Sequence, residues 1–437
     1  MRMRLVKGTL VTAGMVVASL LSSTALMAEQ RTVVFWNNWD GTREAQLEEV
    51  LGRFEAAHPD IKVENVTLTS STTTQRMLAA LASGDVPDLY MTASNDVSQW
   101  ASLGALRGLD DYVARDGLAL DTVFYPSSIE GSRYDDKLIQ LPFKVPTSLA
   151  VWYNRDLFTE AGLDPDNPPK TWKELEDAAT RLTKTDGNVI NQLGFNVCIN
   201  CTTAAENAFV EWLSRNGGSL FTPDGKTVAF DGKEGIETLQ WMVDFSNATS
   251  GSWSAAVEQF GNTFPEVRPS FYAGKVAMMM DGPFLYNIMR ADAPDMLDKI
   301  GVFVAPINGD NPDAKERFTA YGVPGYGIPA GAKNPDDAWE VLKFIAADLD
   351  GACAFFQMQG RPDSPLAECK AETPERLAAP LAANIDLVEA AVSPPGFPEI
   401  HKRIQQMQEA ALLGNETVEE AIANAAADVQ DMLDSRN

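Results

Sequence analysis

The hydrophobic pattern along the chain alternates between strand-like and helix-like segments. Residues 32–36 form a β-branched and aromatic run, residues 47–54 carry apolar side chains at helical spacing, and residues 61–66 are extended again. A second helix is predicted to end near Gly84, and residues 87–91 enter a third strand. Because such units build a parallel sheet with helices on its faces, the pattern predicts an α/β fold whose ligand binds beyond the carboxyl ends of the strands.

Later segments continue the same alternation. Residues 133–142 are predicted to form a hairpin, and the capping boxes Thr171–Glu174 and Thr417–Glu420 each open a helix. Residues 276–280 form a buried strand that stops at Asp281. We find no internal repeat in the sequence.

The composition fits a folded protein with more than one core. The chain has 437 residues, 45% of them hydrophobic, and exceeds the roughly 250 to 300 residues that one core holds. Its 61 acidic residues outnumber 35 basic ones and give a net charge of -26. This field repels phosphate backbones and anionic lipid surfaces, so nucleic acid is not an expected partner.

The first 28 residues have the pattern of an export signal. A basic start precedes an apolar stretch at residues 10–21, and Ala28 offers a cleavage site, with cleavage after Ala25 as the alternative. The apolar stretch is shorter than the ~20 residues of a membrane-spanning helix. We therefore predict that residues 1–28 are removed and that the mature protein is periplasmic.

Four cysteines fit an oxidising compartment. Cys198 and Cys201 have a CxxC spacing, which also occurs in redox enzymes and zinc sites, but a loop-like context and distant histidines favour a structural disulfide. Cys353 and Cys369 are predicted to form the second disulfide.

Signatures of enzymes do not occur in the sequence. It contains no GxSxG, GxGxxG or HExxH motif. Residues 224–227 imitate the end of a phosphate-binding loop, but Leu220 stands where its first glycine belongs, so a hairpin turn is predicted there. The sequence therefore predicts a binding protein and not an enzyme.

Six segments, spread in order along the chain, carry a family resemblance. They are TVVFW at 32–36, RFEAAHPD at 53–60, GDVPD at 84–88, VWYNRDLF at 151–158, PPKTWKEL at 168–175, and residues 271–282. In these motifs the chain resembles the extracellular solute-binding proteins of ABC importers, in the carbohydrate branch that includes maltose and glycerol-phosphate binders. The resemblance implies a monomer with a type II periplasmic-binding-protein fold, in which two lobes close on a ligand and dock on permease subunits. It also implies that no cofactor is needed. The two histidines of the sequence disfavour a transition-metal site, so no metal is expected.

The resemblance further implies three hinge segments, near residues 145–149, 280–282 and 325–330. The expected first lobe holds residues 29–146 and 283–324, and the expected second lobe holds residues 147–282 and 325–437.

Polar side chains follow the predicted strands of the first lobe. A sugar needs an aromatic ring beneath its C–H face and paired hydrogen-bonding groups for its hydroxyls. The candidates in these loops are Asn38, Trp39, Asp40, Ser70, Ser71, Thr92 and Ser94. The alternatives are a turn plus helix cap for residues 38–40, with Asp40 as the cap, and ordinary solvated loops for the other four.

The resemblance and local composition add candidates elsewhere. Positions matching cleft contacts of the family are Lys144, Thr147, Asp281, Gly282, Pro283, Phe284, Tyr321, Gly322 and Arg361. Lys144 and Arg361 have the alternative of ordinary surface charges. Trp253, in a polar glycine-containing segment, is the preferred platform for stacking a sugar ring.

The segment at residues 392–398 bears on the ligand class. Glycerol-phosphate binders of the family carry an arginine in the similar stretch, and this chain has none there. The sequence therefore favours a neutral saccharide or polyol. The rival interpretations are an exported carbohydrate-active hydrolase and a binder of glycerol-phosphate, polyamine or peptide with the same fold.

Overall fold

A computed structural model describes residues 30–69, 72–93, 96–147, 149–187, 189–201, 208–370, 373–391 and 393–435. The predicted export signal lies outside the described residues. The strands are β1 (Arg31–Asn37), β2 (Ile61–Thr67), β3 (Leu89–Thr92), β4 (Arg133–Tyr134), β5 (Lys137–Leu138), β6 (Leu141–Pro142), β7 (Ala150–Asn154), β8 (Lys184–Asp186), β9 (Val189–Asn196), β10 (Val276–Asp281), β11 (Ile300–Val304), β12 (Phe318–Tyr321), β13 (Gly325–Gly327) and β14 (Val388–Ala391). The helices are α1 (Thr42–Ala57), α2 (Thr73–Ser83), α3 (Val97–Ser102), α4 (Asp110–Asp116), α5 (Leu120–Val123), α6 (Pro126–Glu130), α7 (Arg155–Glu160), α8 (Trp172–Leu182), α9 (Ala208–Arg215), α10 (Lys233–Ser250), α11 (Trp253–Phe260), α12 (Phe264–Tyr272), α13 (Leu285–Asp292), α14 (Pro335–Ala347), α15 (Ala354–Gln359), α16 (Glu375–Asp386), α17 (Phe397–Leu412) and α18 (Val418–Asp434).

The first lobe is built on a five-stranded sheet in the order β2-β1-β3-β13-β6. β1 pairs in parallel with β2 and β3, and β13 pairs antiparallel with β3 and β6. Helices α1, α14 and α15 bury their apolar sides with this sheet in one core, to which Phe54, Trp339 and Phe355 contribute. The carboxyl ends of β1, β2 and β3 therefore lie along one edge of the sheet, as the sequence pattern predicts.

The second lobe is built on another five-stranded sheet, in the order β11-β7-β10-β9-β8. β10 is parallel to β9 and antiparallel to β7, and all six residues of β10 are buried. Helices from α8 to α13 and from α16 to α18 contribute to one continuous core with this sheet. The predicted α/β fold with two lobes is confirmed.

The chain crosses between the lobes three times. The first crossing joins β6 to β7, near the predicted hinge at residues 145–149, and the second joins β12 to β13. The third lies between Leu366, in the core of the first lobe, and Leu377, in the core of the second. No crossing occurs at residues 280–282, because α13 follows β10 and buries Leu285 and Met289 in the same core.

These crossings change the expected division of the chain. Residues 283–324 were expected in the first lobe, but β11 pairs with β7 in the second sheet. Residues 325–366 were expected in the second lobe, but β13 lies inside the first sheet and α14 packs on it. The reason is physical: strand pairing over long sequence separations decides lobe membership, and hydrophobic periodicity carries no information about it.

Predictions that depend on residues close together in the sequence are confirmed. The capping boxes Thr171–Glu174 and Thr417–Glu420 open α8 and α18 with both reciprocal hydrogen bonds. Gly84 ends α2 in the left-handed conformation. Both predicted disulfides, Cys198–Cys201 and Cys353–Cys369, are present, one in each lobe.

Candidate functional site

A cleft of about 600 Å³ lies between the two lobes. The first lobe lines it with the loops after β1 and β3, the start of the first crossing, and the end of α15. The second lobe lines it with α12, Phe284 and α13. This volume is within the roughly 300 to 1,000 Å³ of small-molecule sites, so the interlobe cleft is the candidate functional site.

Trp39 anchors the loop after β1 at the floor of the cleft. Its indole Nε1 donates to the Tyr326 hydroxyl at 2.8 Å, and its ring meets Phe143 and Phe355 edge to face, both at 5.1 Å. Only 2% of its surface is exposed. Trp39 therefore lines the cleft with one edge while most of its ring packs in the core of the first lobe.

The loop continues from Trp39 into the first turn of α1. Asp40 is exposed and accepts a hydrogen bond from Arg43, whose guanidinium also lies 5.3 Å from the centre of the Trp39 ring. The same bond lowers the pKa of the Asp40 carboxyl below its usual range. Arg43 lines the cleft, and Asp40 stands beside it.

Thr92 ends β3 beneath the cleft and ties strands together. Its hydroxyl is bonded to the side chain of Gln140, and the carbonyl of Gly325 lies 3.1 Å away. The backbone N–H of Gly325 donates to the same hydroxyl. Thr92 is fully buried, so its role at this edge is to fix β3 against β13.

A buried carboxylate holds a cation of the first lobe in place. Asp363 is fully buried and accepts two hydrogen bonds from the Arg361 guanidinium, one of them from Nε at 2.8 Å. Burial alone raises the pKa of Asp363, but the charges of Arg361 and Lys144 more than offset it, and the pKa is lowered. Asp363 therefore stays ionised and orients Arg361 toward the cleft.

The second lobe repeats this arrangement. Arg268, on α12, donates from Nε and Nη2 to the two oxygens of Asp281, at 2.8 and 3.0 Å. Asp281 ends β10, is fully buried, and also accepts from the N–H of Gly282 at 2.7 Å. The predicted site residue Asp281 therefore acts behind the cleft, and Arg268 lines it.

Phe284 brings the two arrangements together. The guanidinium of Arg268 lies 5.8 Å from the centre of its ring, and that of Arg361, from the other lobe, lies 5.9 Å away. Its ring fills the space beside Gly282, where an added Cβ would lie 2.1 Å from the ring. Glycine at position 282 is thus required for this placement of Phe284.

The structure brings six of the predicted residues together in the cleft. Those lining the cleft are Asn38, Trp39, Thr92, Lys144, Phe284 and Arg361. Pro283 is buried beside them, and Thr147 is buried in the first crossing. Ser70, Ser71 and Ser94 lie outside the described residues.

Trp253 is not a stacking platform in the cleft. It opens α11, is 4% exposed, and belongs to the core of the second lobe. Its Nε1 donates to the carbonyl of Val197 at 2.8 Å. The polar residues around it form the helix cap, in which Ser252 accepts from the N–H of Ala255, and this cap explains the local composition.

Tyr321 and Gly322 line a different cavity between the lobes, of about 800 Å³. The Tyr321 hydroxyl accepts from the N–H of Leu220 at 2.7 Å, and its ring stacks on Phe397. Tyr321 is 2% exposed, so it positions the start of the second crossing.

Several residues of the cleft have no recognisable signal in the sequence. Arg43, Phe264, Arg268, Asn287 and Gln359 line the cleft from helices and had no motif to mark them. A usable signal was the spacing of Phe264 and Arg268, which lie four apart on α12 and share one face.

Asp96 is a buried carboxylate near the carboxyl end of β3. Burial raises its pKa to about 6, a hydrogen bond from Thr74 at 2.9 Å opposes that rise, and the charge of Glu399 in the second lobe adds to it. The charge of a carboxylate in the second lobe therefore acts on a buried carboxylate of the first lobe.

The described part of the chain was searched for metal-binding clusters and for membrane-spanning helices, and it contains neither. Within it, no group of three or more His, Cys, Asp or Glu side chains could hold a metal ion. None of the helices there is long and apolar enough to span a bilayer.

Comparison with known proteins identifies the class. Residues 38–348 match the family model of bacterial extracellular solute-binding proteins, and the chain belongs to that family. A protein of Brucella abortus (strain 2308), named only as a binding protein, is 26% identical over 433 residues, which are 96% of this chain and 97% of that one.

Two further similarities carry ligand names. The sn-glycerol-3-phosphate-binding periplasmic protein UgpB of Escherichia coli O6:K15:H31 (strain 536 / UPEC) is 29% identical over 174 residues, 38% of this chain and 39% of UgpB. The ABC transporter solute-binding protein of Thermotoga lettingae TMO, bound with alpha-D-tagatose, aligns with a TM-score of 0.70 at 24% identity and covers 92% of this chain and 100% of that chain. At this identity the structural likeness establishes the fold.

Proposed function

We propose that this protein is the periplasmic binding component of an ABC importer, which captures a saccharide or polyol between its lobes and delivers it intact to the permease. The proposal rests on one observation: aromatic edges and hydrogen-bonding side chains from both lobes line a single cleft of about 600 Å³. A pyranose needs both kinds of group, because its hydroxyls are costly to bury unpaired.

Membership of the solute-binding family supports binding followed by release. A ligand that contacts both lobes stabilises the closed form by its differential affinity for that form, which the permease then recognises. The export signal predicted at residues 1–28 supports this proposal, because a periplasmic protein would meet such a permease.

The test is isothermal titration calorimetry of the purified protein against a library of sugars and polyols. We expect saturable binding of at least one member at one site per chain. The bound compound, recovered by denaturing the complex, should have an unchanged mass. Recovery of a cleaved product would favour the hydrolase alternative, and a library without binders would contradict the proposed ligand class.

A further inference from the structure

We infer that Asn262 is a positioning residue for ligand binding, because it fastens the start of α12, which lines the cleft, to the turn closed by the Cys198–Cys201 disulfide. This inference deepens the proposed function and rests on it for the bound saccharide or polyol. It assigns the disulfide a local role behind the wall of the cleft.

The disulfide closes a turn that directs two backbone donors at one oxygen. Cys198 and Cys201 follow β9, lie three residues apart, and are both buried. The N–H of Ile199 donates to Oδ1 of Asn262 at 3.0 Å, and the N–H of Asn200 donates to the same oxygen at 3.4 Å. Because a disulfide requires its two Cα atoms to stay close together, it limits the conformations of this turn and keeps both N–H groups facing Asn262.

Asn262 passes this constraint to α12. It is 9% exposed and lies in the short connection between α11 and α12. Its own N–H donates at 2.9 Å to Oε2 of Glu266, in the first turn of α12, and this bond is the main cause of the lowered pKa of the Glu266 carboxyl. At Gly261, where φ is +90°, an added Cβ would lie 2.2 Å from Cβ of Glu266. The connection is therefore bonded to the disulfide turn on one side and packed against α12 on the other.

The first half of α12 is the part that reaches the cleft. Phe264, Pro265 and Arg268 line the cleft. Val267 and Phe271 are fully buried in the core of the second lobe and hold the body of the helix. Since a binding site is precise only when its lining residues are supported from behind, the bonds of Asn262 decide how the first turn is presented to the cleft.

The shortness of the disulfide loop separates this local role from a general one. A bridge between residues three apart removes less freedom from the unfolded chain than the bridge between Cys353 and Cys369, which are 16 apart. Loss of the Cys198–Cys201 bridge should therefore be felt first in the turn that it closes and, through Asn262, in α12.

Two buried asparagines of the second lobe offer a matched pair of variants. Oδ1 of Asn154, which is 6% exposed, accepts from the N–H groups of Asp156 and Leu157 at 3.0 and 3.2 Å. Asn154→Leu and Asn262→Leu therefore each leave two backbone N–H groups without their acceptor. Asn262 leads into α12, whereas Asn154 leads into α7, which contributes none of the described residues that line the cleft.

Hydrogen–deuterium exchange of the intact protein, without any sugar, is the first measurement. The reporters are the amides of Glu266 and Val267, which donate to the carbonyl of Thr263 at the start of α12. We expect Asn262→Leu to speed their exchange about tenfold, because lost buried hydrogen bonds make local opening easier. Asn154→Leu should leave their exchange unchanged.

Two further variants test the mechanism. Asn262→Asp keeps an acceptor oxygen and should restore slow exchange at the start of α12 to within about twofold. Replacing Cys198 and Cys201 together by serine keeps Asn262 but frees the turn, and it should speed exchange there as Asn262→Leu does. If Asn262→Leu fails to fold, this serine variant carries the same comparison with Asn154→Leu.

Calorimetry is the second measurement. The probe is the member of the sugar and polyol library that binds tightest to the unaltered protein. We expect Asn262→Leu and the serine variant to weaken its binding about fivefold or more, because the first turn of α12 is no longer held in place before binding. Asn154→Leu and Asn262→Asp should bind the probe within about twofold of the unaltered protein.

The outcomes separate this inference from the proposed function. Equal exchange at the start of α12 in the two leucine variants would overturn the inference, and so would faster exchange with unchanged affinity for the probe. A probe that binds equally to all variants would leave the proposed function standing. A library without binders would contradict the proposed function and, with it, the role of Asn262 in binding.

Discussion

At the scale of single residues, the cleft is organised by groups that do not line it. Asp281 and Asp363 are fully buried, yet they decide where Arg268 and Arg361 point. Removing one partner of such a pair leaves an uncompensated buried charge, which is strongly destabilising. Substitutions at these aspartates are therefore expected to damage the fold together with binding.

Asp96 yields a prediction on pH dependence. Its native pKa of about 6 exceeds the unfolded value of 3.8, so its stabilising contribution is complete below pH 3.8 and is lost as the pH rises through about 6. Asp96→Asn, which keeps an acceptor for Thr74, should raise the free energy of unfolding at pH 7.5 by about 2 to 3 kcal/mol. The gain should shrink toward pH 4.5 in urea denaturation.

Asp298→Asn is the control for this measurement, because the Asp298 side chain is fully exposed. We expect it to show no comparable pH-dependent gain. An equal gain in both variants would mean that general charge reduction, and not the burial of Asp96, is responsible.

At the scale of elements, hydrophobic periodicity and capping signals located the strands β1, β2, β3 and β10 and the helices α1, α2, α8 and α18. Thr171 and Glu174 open α8 as predicted, because a capping box depends on residues only three apart. Residues 325–366 were assigned to the wrong lobe, because β13 pairs with β3 and β6, which lie far away in the sequence.

In the cleft, too, residues marked by local sequence signals were predictable, and residues positioned by long-range packing were not. Asn38 and Trp39 were predictable, because loops after parallel strands meet at one edge of a sheet. Arg268 was not, since its position depends on how α12 packs beside β10 in the other lobe. The prediction for Trp253 was wrong because the polar residues around it fit two structures equally well. They occur in exposed loops, and they also occur in a helix cap beside a buried tryptophan, which is the case here.

The Cys353–Cys369 disulfide gives a prediction at this scale. It closes a loop of 16 residues that runs from the start of α15 to the third crossing. In the chain-entropy model such a bridge contributes about 3 kcal/mol. Replacing both cysteines by serine should lower the free energy of unfolding by about that amount in urea denaturation.

The wild-type protein under dithiothreitol, which also reduces Cys198–Cys201, should unfold at urea concentrations no higher than those that unfold this double variant. A matched replacement of Cys198 and Cys201, which close a loop of only three residues, should cost less. A double variant at 353 and 369 as stable as the wild type would contradict the entropic contribution.

At the scale of the whole molecule, the surface and the cleft differ in charge. The chain carries a net charge of -26, but the charged side chains lining the cleft are cationic in the described residues. The net charge of a whole chain does not determine the charge of one pocket. The composition could therefore exclude nucleic acid as a partner, but it could not indicate the charge of a small ligand.

Closure of the lobes is measurable as a change in size. A compact chain of this length has a radius of gyration of about 22 Å. Small-angle X-ray scattering should give a larger value without ligand and a decrease toward this value at saturation, because the closed form is favoured. Curves that superimpose with a ligand known to bind by calorimetry would contradict closure.

The threefold passage of the backbone between the lobes makes the two halves mutually dependent. β13 is bonded on both sides, to β3 and to β6, while β11, which precedes it in the chain, is bonded to β7 in the opposite half. A protease that cut residues 321–325 would therefore release neither fragment, since the first piece has strands in both sheets, and the second piece adds β13 to the first sheet and α16 to α18 to the core of the second lobe. The molecule is interlaced, so separately expressed fragments would have to fold around each other to rebuild either half.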